Sequence, residues 1–230
     1  MRKALVLLSG GIDSTTCLAM AVDRYGKENV TALSISYGQK HIKEIECAKA
    51  VAEHYGVDHY QKDLSAVFAL SECTLLSGRK NMIHQSYGEQ LERMGGFGTV
   101  STYVPFRNGL FLACAAAIAI SLNVDYIYYG AHADDATGGA YPDCTPEFEK
   151  YMAEAIYEGS GKVVEMKAPL IHWNKAGVVK EGLALGAPYK LTTSCYEGRE
   201  KACGTCGTCI DRKAAFELNN TVDPIEYEVD

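Results

Sequence analysis

Ser9-Gly10-Gly11-Ile12-Asp13-Ser14 is the stretch with the clearest capacity for chemistry. Two adjacent glycines let the backbone turn tightly and gather N–H groups at one point. A helix beginning there adds the partial positive charge of its N-terminus, so an anion is favoured. The Ser9 and Ser14 hydroxyls can donate to the same anion. The candidate phosphate cradle runs through Leu8, Ser9, Gly10, Gly11, Ile12, Asp13, Ser14 and Thr15. It lacks the Gly-Lys-Ser/Thr ending of a Walker loop and the glycine spacing of a dinucleotide fingerprint. The plainer alternative is a helix cap, with Asp13 or Ser14 capping and the glycines serving only the bend.

A second constellation lies near the other end. Cys195, Cys203, Cys206 and Cys209 are spaced C-x7-C-x2-C-x2-C, with Gly204 and Gly207 directly after two of them. Four thiolates with no spare protein ligand suit a closed tetrahedral zinc site of structural type. An iron–sulfur cluster is the competing metal group, but the fourth cysteine lies upstream and no proline follows. The chain has nine cysteines. An odd count does not suit a closed disulfide framework, and the expectation is a reducing, cytoplasmic setting. Cys17, Cys47 and Cys114 fall in predicted helices and read as core. Cys144 follows a polar turn and is a candidate pocket residue.

The elements that must position these groups alternate. Ala4–Leu8 reads as a strand buried on both faces, followed by a helix over Ser14–Tyr25. Val30–Tyr37, a helix over His41–Tyr55 and a strand at His59–Lys62 complete a β-α-β-α-β run. That order calls for a doubly wound, mostly parallel α/β sheet. Further on, a strongly apolar core helix is predicted over Asn108–Leu122 and a Tyr-rich strand over Asp125–Gly130. Thr145-Pro146-Glu147 opens a helix with cap, proline and acid in the favoured order. Another strand is predicted at Val163–Lys167, and a helix from the Asn174 cap to Leu185. A last short helix is expected over about Asp211–Leu218. Trp173 reads as packing. Ser71–Phe106 and Ala131–Cys144 are long polar segments of the kind that form lids or binding loops. Residues 1–187 are read as the main domain and 188–230 as a cysteine segment packed on it.

Ligands of open α/β sheets sit at the carboxyl ends of strands. Tyr37, Gln39 and His41 follow the second strand and are candidate substrate contacts. Arg107 and Asn108, at a helix start, could meet a phosphate or a carboxylate. Asp134, Asp135 and Asp143 could hold Mg²⁺ or accept paired N–H groups from a base edge. Lys175 lies near a helix start within reach of a phosphate. Each has a plainer alternative as a turn, cap or solvated surface residue.

Composition narrows the partners. The net charge is −7 and no basic run exists, which argues against a nucleic acid backbone as partner. The longest uncharged apolar run, Leu110–Ile120, is far short of the ~20 residues that span a bilayer. The apolar stretch after Met1-Arg2-Lys3 is too short for a signal peptide.

The hexapeptide at Ser9–Ser14 resembles the Ser-Gly-Gly-x-Asp-Ser signature of the PP-loop, or N-type, ATP pyrophosphatases. Four further segments occur in the order of one family within that superfamily. They are Tyr37-Gly38-Gln39-Lys40-His41 with Glu44, Val104-Pro105-Phe106-Arg107-Asn108, Tyr141-Pro142-Asp143-Cys144 and Ser194-Cys195-Tyr196. From Leu5 to about Phe216 the chain is similar to the 7-cyano-7-deazaguanine synthases of queuosine precursor biosynthesis. The resemblance implies an adenine nucleotide alpha hydrolase-like, Rossmann-like fold. It implies a ligase that converts 7-carboxy-7-deazaguanine and ammonia to the nitrile, cleaving ATP to AMP and pyrophosphate with Mg²⁺. Asp13, Ser14, Arg107 and Lys175 would be catalytic, and a homodimer is expected. Thr193 stands where the family pattern has Trp, and Gly138-Gly139 replace bulkier residues; both places are expected to border the base pocket. Two other classes stay open on the residues alone: a PP-loop tRNA thiolase and a non-enzymatic ATP-binding zinc module.

Overall fold

The apolar run near the start of the chain becomes the central strand of a sheet. The computed structural model describes residues 1–39, 43–76 and 87–228; His41 lies outside them. Strand β1 (Ala4–Leu7) hydrogen-bonds a parallel neighbour on each side. The chain continues through α1 (Ile12–Tyr25), β2 (Val30–Ser36), α2 (Lys43–Tyr55), β3 (Asp58–Asp63), α3 (Tyr87–Arg93) and α4 (Arg107–Leu122). It then forms β4 (Tyr126–Tyr128), α5 (Ala133–Ala136), α6 (Pro146–Gly159), β5 (Glu165–Lys167), α7 (Lys175–Ala184) and α8 (Gly207–Glu217). The strand order is β3-β2-β1-β4-β5, all parallel.

Alternation along the first strand feeds two cores, as a period of two requires. Ala4, Val6 and Leu8 enter the cluster built with α1, α2, α7 and α8, whereas Leu5 enters the one built with α4 and α6. The sheet is therefore covered on both faces, which is why its centre carries no charge. Ala215 and Phe216 of α8 share the cluster of β1 and α1, and Trp173 packs against that cluster. The cysteine segment is thus anchored in the main core.

Helix starts behave as their caps dictate. The Thr145 hydroxyl accepts the Phe148 N–H at 3.1 Å, with Pro146 in the first turn, a cap worth about 1 kcal/mol. The Asn174 side chain accepts the Gly177 N–H at 2.9 Å and opens α7. Three expectations need correction. Helix α8 begins at Gly207, not near Asp211, because the Cys206–Cys209 spacing is itself the first helical turn. Strands β4 and β5 are three residues each, shorter than their apolar runs, since only that length pairs with the neighbouring strand. Helix α4 is core on one face only: Leu112, Ala115 and Ala119 are buried while Ile120 is exposed.

The chain winds outward from β1 to β3, then returns to place β4 on the other side of β1. This reversal leaves a crevice at the carboxyl ends of β1 and β4. Among the described residues, no helix is long and apolar enough to cross a membrane.

Candidate active site

The loop after β1 enters the crevice between two packed elements. Gly10 has φ +86°, and a Cβ there would lie 2.3 Å from the Glu44 carbonyl oxygen of α2. On the other side, a Cβ at Gly130 would come within 3.2 Å of the Asp13–Ser14 backbone. These two glycines let α2 and the end of β4 close on the loop. No side chain caps α1, whose N-cap is Gly11, so neither Asp13 nor Ser14 is a helix cap. The Ser14 hydroxyl instead accepts the Ser9 N–H at 3.1 Å and meets the Ser9 hydroxyl at 3.0 Å.

A cavity of about 260 Å³ opens over this loop. Leu8, Ser9, Gly11, Asp13 and Ser14 line it, as do Tyr37, Gln39, Arg107, Asn108, Asp134 and Lys175. Gly10 turns its back to α2, and Ile12 and Thr15 are buried at the start of α1. Asp143 is not in the cavity wall. Its carboxylate accepts the Asn108 N–H at 2.9 Å, capping α4 from 35 residues away.

Two carboxylates of the site have opposite electrostatics. Burial would raise the Asp13 carboxyl, but the Lys175 ammonium overrides it and holds it below its ordinary value. Lys175 Nζ donates to both Asp13 oxygens, at 2.8 and 2.7 Å, and to His132 Nε2 at 2.8 Å. Burial likewise opposes the Lys175 charge, and Asp13 with Asp135 more than offsets it. At Asp143 burial prevails over the Asn108 N–H and Arg107, and the carboxyl is raised. Arg107 stacks over the Tyr37 and Phe111 rings at 5.2 and 5.7 Å. Burial opposes its charge too, but Tyr37 and Asp143 beside it keep the guanidinium firmly cationic.

The cavity also gathers residues that the sequence did not single out. His132, Thr208 and Asp211 line it, together with the aromatic rings of Phe111 and Tyr129; Glu44, Tyr141, Ser194 and Tyr196, quoted above only within the family segments, line it too. Burial raises the Asp211 carboxyl. Cys144 lines it as well, and its Sγ accepts from Asn108 Nδ2 at 3.2 Å. Burial drives that thiol well above its ordinary pKa, so it is wall rather than nucleophile. Thr193 borders the cavity, and its N–H donates to the Gly10 carbonyl at 2.9 Å. Gly138 and Gly139 do not line it. They have positive φ and pack against Leu91 and Phe97, where any Cβ would crowd.

The four cysteines converge. All are buried, and their sulfur atoms lie within 4.8 Å of one another. A tetrahedral ion with metal–sulfur bonds of about 2.3 Å needs sulfurs about 3.8 Å apart. Cys203–Cys209 at 4.0 Å and Cys206–Cys209 at 3.4 Å bracket that spacing. Backbone N–H groups of Cys203 and Cys206 donate to Cys195 Sγ and Cys203 Sγ, both at 3.3 Å, which stabilises thiolates. The donor set therefore fits a metal ion.

The parallel sheet, the glycine loop at its reversal point and the sulfur cluster define an α/β protein of the PP-loop type. The family described as queuosine biosynthesis protein QueC matches residues 3–220, and the chain belongs to that family. Over 226 residues the chain is 41% identical to the 7-cyano-7-deazaguanine synthase of Hahella chejuensis, covering 98% of this chain and 93% of that protein. It is 42% identical over 229 residues to the enzyme of the same name from Psychromonas ingrahamii, covering 99% and 98%. In fold it is similar to the U34-tRNA thiolase NcsA of Methanococcus maripaludis, which carries a [4Fe-4S] cluster. That match has a TM-score of 0.50 and 16% identity, over 95% of this chain and 66% of that one.

Proposed function

We propose that this chain is a 7-cyano-7-deazaguanine synthase that joins ammonia to 7-carboxy-7-deazaguanine at the expense of ATP. The observation that carries the reading is the Ser9–Ser14 loop facing one cavity with Asp13, Lys175 and Arg107. A carboxylate is a poor acyl donor because oxide would have to leave. Transfer of AMP to the carboxylate oxygen releases pyrophosphate and creates a leaving group. Ammonia then displaces AMP and gives the amide. A second AMP transfer to the amide oxygen, with loss of a proton, sets up expulsion of AMP and a second proton to leave the nitrile.

Placement in the cavity supports the following roles. The Ser9 and Ser14 hydroxyls and the free start of α1 bind the pyrophosphate portion of ATP. Lys175, held by Asp13, meets the charge that builds on the phosphates. Arg107 meets the substrate carboxylate or an α-phosphate oxygen. Tyr37, Gln39, Asn108 and Asp134 face the base. Asp143 positions Arg107 and Asn108 from behind. Mg²⁺, when bound, supplies further charge neutralisation, with Asp13, Asp134 and Asp135 as its carboxylates. Cys195, Cys203, Cys206 and Cys209 hold a structural zinc ion, consistent with a reducing cytoplasm. The active form is a homodimer, and ammonia comes from solution.

The test is incubation with 7-carboxy-7-deazaguanine, ammonium and Mg-ATP. AMP, pyrophosphate and the base are quantified together, the base by mass spectrometry. Two AMP per nitrile are expected. Supplying the amide should halve that ratio and remove the need for ammonium. ADP and phosphate in place of AMP and pyrophosphate would refute the role of the loop, and an inert amide would refute the double activation.

A further inference from the structure

His132 is a buried imidazole in the cavity wall with one nitrogen committed and the other idle. It is 2% exposed and lies between β4 and α5, immediately before the latter. Its Nε2 lies 2.8 Å from Lys175 Nζ, 3.3 Å from Asp135 Oδ2 and 3.8 Å from Asp13 Oδ1. Among the described residues its Nδ1 has no hydrogen-bond partner, and the nearest carboxylate oxygen, on Asp134, is 3.9 Å away.

An ammonium has three N–H donors. Those of Lys175 go to the two Asp13 oxygens and to His132 Nε2. The imidazole must then present a lone pair at Nε2 and carry its proton on Nδ1. Two carboxylate oxygens on one side leave the ammonium free to pivot, because both belong to a single group. The third bond, to a ring fixed by burial, removes that freedom. The lysine side chain otherwise has four rotatable bonds and a large rotamer entropy to lose on binding an anion.

We propose that His132 is a positioning residue for the ATP-dependent step. Its Nε2 fixes the Lys175 ammonium over the phosphate loop before the anion arrives. This rests on the reading of Ser9–Ser14 and Lys175 as a phosphate site. On arrival of the anion, a phosphate oxygen takes the bond given to His132, the weakest of the three because its acceptor is neutral. The side chains facing this exchange are Asp13 from α1, Asp134 and Asp135 from α5, Lys175 from α7 and Asp211 from α8.

The experiment compares the unaltered protein with His132→Leu and His132→Gln. Gln places an amide oxygen near the position of Nε2 and keeps an acceptor for Lys175; Leu fills the space without one. Binding of inorganic pyrophosphate is measured by calorimetry, and KM for ATP and for the deazaguanine acid is measured in parallel. His132→Leu should weaken pyrophosphate binding and raise KM for ATP by about tenfold, the scale of one hydrogen bond to a charged group. KM for the acid should stay within about twofold, and His132→Gln should restore most of the loss. A loss in His132→Leu that His132→Gln fails to restore, or one shared equally by both substrates, would overturn the positioning role. So would equal pyrophosphate affinity in all three proteins, while leaving the phosphate site intact. If the unaltered protein binds no pyrophosphate, the phosphate-site reading falls and the role of His132 falls with it. Pyrophosphate binding without any nitrile would count against the substrate assignment alone.

Discussion

Two walls of the cavity are held by different physics. The phosphate-loop wall is an extension of the sheet: β1 is paired on both sides, and its alternate residues are locked in two cores. The facing wall contains Ser194, Tyr196, Thr208 and Asp211, and no strand runs through it. These residues flank Cys195, Cys206 and Cys209 in the chain, so a metal ion held by the four thiolates would supply the rigidity that hydrogen-bond ladders supply opposite. Arg212, almost fully buried, ties that wall together. It donates to both Asp223 oxygens, at 2.6 and 2.9 Å, and to the Thr192 hydroxyl at 2.9 Å. Next to Thr192, the Thr193 N–H reaches the Gly10 carbonyl and joins the two walls. Thr208 and Asp211 belong to the start of α8, which is itself seated in the main core through Ala215 and Phe216, and a metal ion on the four thiolates would tie that helix start to the irregular segment before it.

The comparison breaks most severely at the sulfur cluster. Cys206→Ser should release the metal and destabilise the cysteine wall by on the order of 5 kcal/mol or more, because metal binding free energy is folding free energy in such sites. Metal analysis should fall from about one zinc per chain to none, and hydrogen exchange should rise over residues 193–212 before it rises in β1. Iron with acid-labile sulfide in the unaltered protein would instead assign a cluster to these thiolates.

At the phosphate-loop wall the expected loss is functional rather than structural. Asp13→Ala and Ser14→Ala should lower AMP formation at least about a hundredfold, the scale of removing one preorganised electrostatic contact. Circular dichroism should stay unchanged. Near-normal turnover in either variant would mean that the loop does not act on ATP.

Asp143→Ala lies between these cases. It leaves the buried Asn108 N–H without an acceptor and should cost about 1–3 kcal/mol in a denaturant titration. KM for the base should rise through the loss of Arg107 and Asn108 alignment.

The smallest effect is a pH dependence. The Asp13 carboxyl is held below its ordinary 3.8 in the folded chain. Its contribution to stability is therefore complete above that pH and is lost as pH falls toward the depressed folded value. Lys175 is raised above 10.5, so its contribution is complete below that value and is lost as pH climbs through the raised one. Asp13→Asn should flatten the acid limb of the stability curve. An unaltered limb would place the acid sensitivity elsewhere.

Much of this was legible in the amino-acid order because its causes are local. A buried strand announces itself by an uninterrupted apolar run, a tight anion loop by paired glycines, and a metal knuckle by C-x2-C-x2-C. The caps at Thr145 and Asn174 could be read for the same reason, since a cap and its N–H are three residues apart. Other features depend on which distant segments meet. Asp143 reads as a loop carboxylate until α4 docks against it, and then it becomes a cap. Gly138 and Gly139 read as pocket residues, but their positive φ serves the packing of Leu91 and Phe97. His132 carries no spacing signal at all. It gains its place only because the sheet order puts β4 beside β1 and α7 across the crevice, so that one ammonium meets a carboxylate from α1 and an imidazole from the end of β4. The sequence by itself determined the order of the main elements, the paired-glycine loop after β1 and the spacing of the four cysteines. Only the tertiary structure decided which charged groups share a low-dielectric space, because burial and charge pairing are properties of where distant segments converge.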